Sequence, residues 1–229
     1  YRGFAIAIIL IIYLFVKNGL NFYKNFYKIG FSGILGGIFL ATAFTGFIYS
    51  ITITSAAVTL FMLAVMPFIA AIFGYFLLGE LLSRSTFIAM IIAFIGVTIM
   101  IINDSISGTI AGALLGIISA SGFALYTVTI RWKPETPKFT TVVLAGLFCS
   151  FFSFLALDFS FEPFITMPIK NSYLSLLHGL FVATGLILYS LGARYLPAAE
   201  LALLSLMEVV GGVLWVWLPI FGINEVPTL

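Results

Sequence analysis

Apolar residues run along the chain in long unbroken blocks, without the apolar/polar alternation of a half-buried strand, and polar residues gather in the short stretches between blocks. A helix needs about 20 mainly apolar residues to cross the hydrocarbon of a bilayer, and backbone facing lipid must satisfy its own hydrogen bonds. The blocks therefore predict helices at about 2–17, 30–50, 54–78, 86–103, 109–131, 139–157, 173–193 and 197–220. Between them LLGELLSRST, NDSISG, RWKPETPK and FEPFITMPIKN hold Pro, Asn, Asp, Ser and nearly all the charge, and read as connections. The expected fold class is all-α, a polytopic transmembrane helix bundle.

Composition agrees with this pattern. The chain is 62% hydrophobic and 8% charged, where a soluble domain carries about 25% charged residues, so lipid is the solvent for most of it. A net charge of +2 spread over short connections argues against a nucleic-acid surface. The lone Cys149 offers no disulfide framework and no CxxC spacing, and no metal or cofactor is expected. If the spans alternate in direction, Lys17, Lys24, Lys28, Arg84, Arg131, Lys133, Lys138 and Arg194 fall on one side and only Arg2 and Lys170 on the other. The positive-inside rule makes the first side cytoplasmic. KNGLNFYKNFYK is then a cytoplasmic topology signal with interfacial aromatic anchors. Expected partners are a small-molecule substrate and the bilayer, and a homodimer is compatible with the sequence.

Two segments resemble one another. Laying ITSAAVTLFMLAVMPFIAAIFGYFLLGE on AAELALLSLMEVVGGVLWVWLPIFGINE matches Glu80 with Glu225, Ala57 with Ala202, Met62 with Met207 and Val65 with Val210 at an offset of 145 residues. An odd number of spans separates the copies, which forces opposite orientations, the inverted-topology repeat of many secondary transporters. The helix at 109–131 has no counterpart before Tyr1, and the helix at 86–103 none after Leu229. An intact chain is therefore expected to hold about ten helices, two inverted repeats of five, with about eight present here. Residues 1–108 make the first repeat without its first helix, and residues 109–229 the second without its last.

The stretches SAAVTLFMLAVMPFIAAIFGYFLLGELLS, GARYLPAAELALLSLMEVVGGVLWVWL and NEVP resemble the EamA-type transporters of the drug/metabolite transporter superfamily. The resemblance implies two inverted five-helix halves, cytoplasmic termini and secondary export or exchange of small metabolites across a plasma membrane. Many relatives carry a proline where this chain has Gly212; the first half keeps its own, Pro67.

Candidate chemistry lies within the spans. Glu208 shares a helix face with Ser205, Gly212 and Trp215, and a carboxylate at mid-membrane must face the bundle interior. Either it lines a substrate cavity and binds a cationic group or exchanges a proton, or it is a structural acid bonded to a neighbouring hydroxyl. His178, Gly185, Tyr189 and Gly192 share a face of the preceding span, where Tyr189 is placed to stack on a substrate and donate a hydrogen bond. Gly112, Gly116, Ser119 and Tyr126 form a similar stripe, which close helix packing also explains. Thr52, Ser55, Thr59, Met62 and Met66 lie along another face, followed by Pro67 as hinge or tolerated kink. Gly33, Gly37, Ala41 and Thr45 read as a packing seam, Glu200 as a structural acid, and Glu80 and Glu225 as caps or partners of Arg84.

No GxxxxGK[ST] loop is present for a nucleotide-driven pump, and no convergent acid, base and nucleophile set for an enzyme. The sequence thus reads as a secondary transporter of small metabolites or drugs working by alternating access. A non-transporting membrane scaffold or regulator is the competing reading.

Overall fold

The structure, a computed structural model, describes residues 2–102, 109–160, 162, 166–208 and 211. Within them helices follow one another as α1 (Arg2–Asn18), α2 (Lys24–Tyr27), α3 (Gly30–Ile53), α4 (Ala56–Leu63), α5 (Met66–Phe73), α6 (Arg84–Ile102), α7 (Ile110–Trp132), α8 (Lys138–Ala156), α9 (Ile169–Gly192) and α10 (Ala198–Ser205). No strand occurs among the described residues. Six helical runs are long and apolar enough to cross a membrane: Arg2–Tyr27, Gly30–Ile53, Val58–Leu78, Ile110–Trp132, Lys138–Ala156 and Ile169–Gly192. The protein is a polytopic helical membrane protein.

Local chemistry sets the boundaries. Ser55 and Thr109 cap α4 and α7, their hydroxyls accepting from the amides of Val58 and Gly112 at 3.2 and 3.1 Å. Pro137, Pro168 and Pro197 stand immediately before α8, α9 and α10, where a fixed φ and a missing N–H cost the helix nothing. A π-helical turn, Gly74–Leu78, extends α5 and stops at Gly79, whose φ of 68° favours glycine.

The membrane run around Pro67 is not one helix. Ala64 and Val65 interrupt it between α4 and α5, and Val65 donates to Met62 O, three residues back instead of four. Pro67 supplies no amide to Leu63 O, so the ladder has no reason to continue. A second interruption follows α10. Leu206 donates to Leu203 O at 3.1 Å, and Met207 and Glu208 are helical again.

Small residues let the helices close. In α3 a methyl at Gly46 would meet Leu115 O at 3.0 Å, and one at Gly122 of α7 would meet Phe39 O at 2.6 Å. The α3–α7 pairing is the most extensive in the bundle. Gly3 of α1 and Gly146 of α8 interlock reciprocally, each facing the other's carbonyl. One apolar core joins α1, α3, α7, α8 and α9 around Ile6, Leu10, Leu40, Tyr126, Val142 and Ala183. A second, built from Met66, Ala70, Ala120, Ala124, Ala198 and Ala202, joins α5, α7 and α10.

Two expectations need correction. The stretch 18–29 is not an open loop: a 3₁₀ turn, Gly19–Tyr23, runs into α2, and Phe22 and Phe26 fold back onto the core while Leu20, Tyr23 and Tyr27 stay exposed. Its residues Phe22 and Phe26, four apart, form the apolar stripe that holds it. Arg2 does not mark a membrane surface. Its Nη2 donates to Phe44 O, in the interior of α3, at 3.3 Å, and its own carbonyl faces Gly179 near the middle of α9. Arg2 therefore lies at the depth of the helix centres.

Candidate functional site

Helices α1, α3, α4, α5, α7, α9 and α10 line a half-open cavity of about 580 Å³, within the range of small-molecule sites. Its walls are mostly apolar: Phe44 and Phe47 from α3, Leu60 and Leu63 from α4, Phe123 from α7, Phe181, Val182 and Leu186 from α9, and Leu204 from α10. Polar groups enter at a few points, namely Arg2, Ser119, His178, Tyr189, Ser205 and Glu208. Both interruptions of the helical ladder border this space, through Met66 on one side and Ser205 and Leu206 on the other. Discontinuous helices at the bilayer centre are where transporters build their binding sites, because freed backbone is tolerated only against protein or a hydrated cavity.

The charges are the costliest feature. Insertion scales assign roughly 2.5–3.5 kcal/mol to an Arg or an acid at a helix centre. Arg2 offsets part of this through Phe44, whose ring centroid lies 5.0 Å from its guanidinium carbon. Among the described residues Glu208 has neither hydrogen bond nor ion pair, and no carboxylate oxygen comes within 4.0 Å of Arg2. The two charges border one volume and attract one another across it.

At one end of the bundle the cavity has an aromatic floor. Tyr189 bonds to Thr127 at 2.6 Å, packs edge-on against Phe123 and stacks on Tyr126, centroids 6.4 Å apart. Beyond the floor Arg131 donates from Nε to Glu80 Oε1 at 2.6 Å, and from Nη1 to Ala193 O at 2.6 Å and to Leu196 O. The remaining oxygen of Glu80 accepts from the Ala198 amide at 2.7 Å, at the start of α10. This cluster ties α5, α7, α9 and α10 together at the end where Lys17 and Lys138 also sit beside one another's helices.

The structure distributes the sequence candidates unevenly. Glu208, Ser205, Tyr189, His178 and Met66 line the cavity, as does Gly185. Ser205 Oγ donates to Ala202 O at 2.7 Å and approaches Met66 Sδ at 4.0 Å. Tyr126 and Thr59 do not line it. Tyr126 is fully buried and bonds to Ser190 at 3.0 Å, and Thr59 bonds to Ser50, which also donates to Gly112 O. Pro67 is buried at the start of α5, behind Met66. Gly112 and Gly116 face Thr54 and Met62 as packing positions. Gly192 lies against Leu201 rather than the cavity. Gly212, Trp215 and Glu225 lie outside the described residues. Glu80 pairs with Arg131, not Arg84, and Glu200 accepts from Thr86 Oγ1 at 2.9 Å.

Sequence reasoning missed Arg2 and the phenylalanines. Phe44, Phe47, Phe123 and Phe181 are indistinguishable in sequence from the many lipid-facing phenylalanines. Arg2, ahead of an apolar block, reads as an interface residue.

A helical membrane bundle with a solute-sized chamber at mid-depth defines the class: a multi-pass membrane protein built around an internal cavity. Residues 1–102 match the EamA-like transporter family. No curated protein and no solved structure matches the chain.

Proposed function

We propose that this protein is a secondary transporter that moves small amphiphilic metabolites or drugs across the plasma membrane by alternating access, as an exporter or exchanger. The observation that carries the reading is a mid-depth cavity bordered by two interrupted helices and two opposite charges, in a chain whose first 102 residues match a transporter family. A scaffold needs packing seams but no such chamber, and charges facing it would only destabilise the bundle.

The two inverted halves, residues 1–108 and 109–229, would rock about this cavity. The pairing of helices supports a twofold relation. At the repeat offset α1 corresponds to α8, α3 to α9, and the 54–78 run to α10 and beyond. The contacts α1–α8 and α5–α10 then map onto themselves, and α3–α8 maps onto α1–α9. Along α9 the lining runs from His178 to Tyr189, and Tyr189 bonds to Thr127, one turn before Arg131 of the Arg131–Glu80 cluster. With the basic end cytoplasmic, the arrangement is closed toward the cytoplasm, and access from that side requires Arg131 and Glu80 to release Ala193, Leu196 and Ala198.

Counterflow tests the proposal. Proteoliposomes of the full-length protein, loaded with an unlabelled metabolite mixture, should accumulate at least one labelled component transiently above its outside concentration. Folded protein that gives no counterflow above empty vesicles for any component would leave the scaffold reading.

A further inference from the structure

The basic end of the bundle holds a cation that no described residue answers. Lys138 opens α8 and is only 8% exposed, although a lysine at a helix end normally runs its ammonium out to water. Other cations at this end have partners: Lys17 lies over the Tyr13 and Phe139 rings, Lys133 over Trp132, and Arg131 pairs with Glu80. Among the described residues Lys138 has no hydrogen bond, no ion pair and no ring beneath its ammonium. The charges acting on it are those of Arg194 and Arg131, both repulsive. Arg194 is exposed on the turn after α9, where Arg131 already holds the carbonyls of Ala193 and Leu196. The acids of this end do not answer Lys138 either. Glu80 accepts from Arg131 and the Ala198 amide, Glu200 accepts from Thr86, and Glu135 is exposed on the connecting loop without an ion pair.

A buried cation without a counter-charge is destabilising, and two further cations nearby make it more so. The first turn of α8 adds to the same positive field: the helix starts on Pro137, no side chain caps it, and its leading amides have no acceptor within the helix. Helix starts bind oxyanions, and here a covered lysine in the same turn supplies full charge. Lys138, Arg131 and Arg194 less Glu80 sum to +2, which a dianion balances. We propose that Lys138, Arg194 and the first turn of α8 form a site for a phosphate dianion beside Arg131. The ion comes from solution and not from a lipid headgroup, because Lys138 shares its helix face with Val142, Ala145 and Cys149, all buried within the bundle. None of these cations lines the central cavity, so the site does not depend on what that cavity carries. A bound ion bridges the start of α8 to the turn between α9 and α10.

Inorganic phosphate is the probe. Its binding and its effect on thermal unfolding are measured on the purified full-length protein in neutral detergent, at mildly alkaline pH where phosphate is mainly the dianion. Ionic strength is held constant with chloride. Phosphate should bind saturably and raise the unfolding temperature. Lys138→Met keeps the length of the side chain and removes its charge, so it should abolish the phosphate response and raise the unfolding temperature of the phosphate-free protein. Arg194→Gln should weaken phosphate binding roughly tenfold or more, the scale of one hydrogen bond to a charged group, and Lys17→Met should leave it intact. Lys138→Arg retains the charge, should retain the response, and serves where the Met variant fails to fold. Chloride acting as well as phosphate would reduce the effect to screening of a basic surface and overturn the proposal. No response to phosphate, or a Lys138→Met protein that responds like the wild type, would do the same. In phosphatidylcholine nanodiscs the phosphate response should be equal with and without phosphatidic acid; its loss when phosphatidic acid is present would give the site to a lipid headgroup and overturn the soluble ion.

Discussion

Tyr126 and Tyr189 stack on one another, yet their hydroxyls serve different purposes. Tyr126 is fully buried and holds Ser190, joining α7 to α9; Tyr189 holds Thr127 and turns its ring to the cavity. Tyr126→Phe should therefore lower the stability of the detergent-solubilised protein by about 0.6–2 kcal/mol, the range of interhelical hydrogen bonds in membranes, without reordering substrates. Unchanged thermal unfolding with altered substrate preference would move Tyr126 into the site. At this scale the sequence drew attention to Glu208 as an acid inside an apolar block, and that residue borders the cavity. Arg2 was harder to place, since a cation at the head of an apolar block normally sits in the headgroups. One signal did point inward: the offset of 145 residues lays Arg2 on Leu147, well inside α8.

Among the elements, the two interruptions carry most of the functional argument, and only one was readable. Pro67 announces the break at Ala64 and Val65; the break at Leu206 has neither proline nor glycine beside it and arises where α10 packs against α5. Pro67→Ala restores a donor for Leu63 O. It should raise the unfolding temperature and slow transport per folded molecule if the break acts as a hinge, and an unchanged rate would make the proline merely tolerated. The Glu80 cluster makes a separate prediction. Glu80→Gln removes the charge opposite Arg131 while a fifth of each side chain remains exposed, so the loss should be about 1–2 kcal/mol, below that of a fully buried pair. It should also speed thiol labelling of a Val182→Cys cavity reporter from the basic side, measured in inside-out vesicles of a Cys149→Ser background. Equal labelling rates would show that the cluster is not a closure. Its pairing was not legible because Arg131 comes from a helix 51 residues away in sequence.

For the molecule as a whole, moving Arg2 to mid-depth leaves Lys170 as the basic residue opposite the eight of the other end, which sharpens the charge asymmetry. Thiols introduced at exposed Lys24 and Lys133 should escape a membrane-impermeant reagent applied to intact cells, and labelling of either would invert the orientation. The limits of most spans were readable because hydrocarbon thickness dictates them; the pairing of spans was not, because glycine seams look alike. That pairing has a consequence for biosynthesis. The principal partner of α3 is α7, and Ser119 meets Ala43 O across 76 residues of chain. At about 5–20 residues per second a ribosome takes roughly 4–15 s to cover that distance. During this interval the glycine-lined face of α3 waits in the bilayer without its mate, so assembly is governed by the second half of the nascent chain reaching the first, and neither half matures alone.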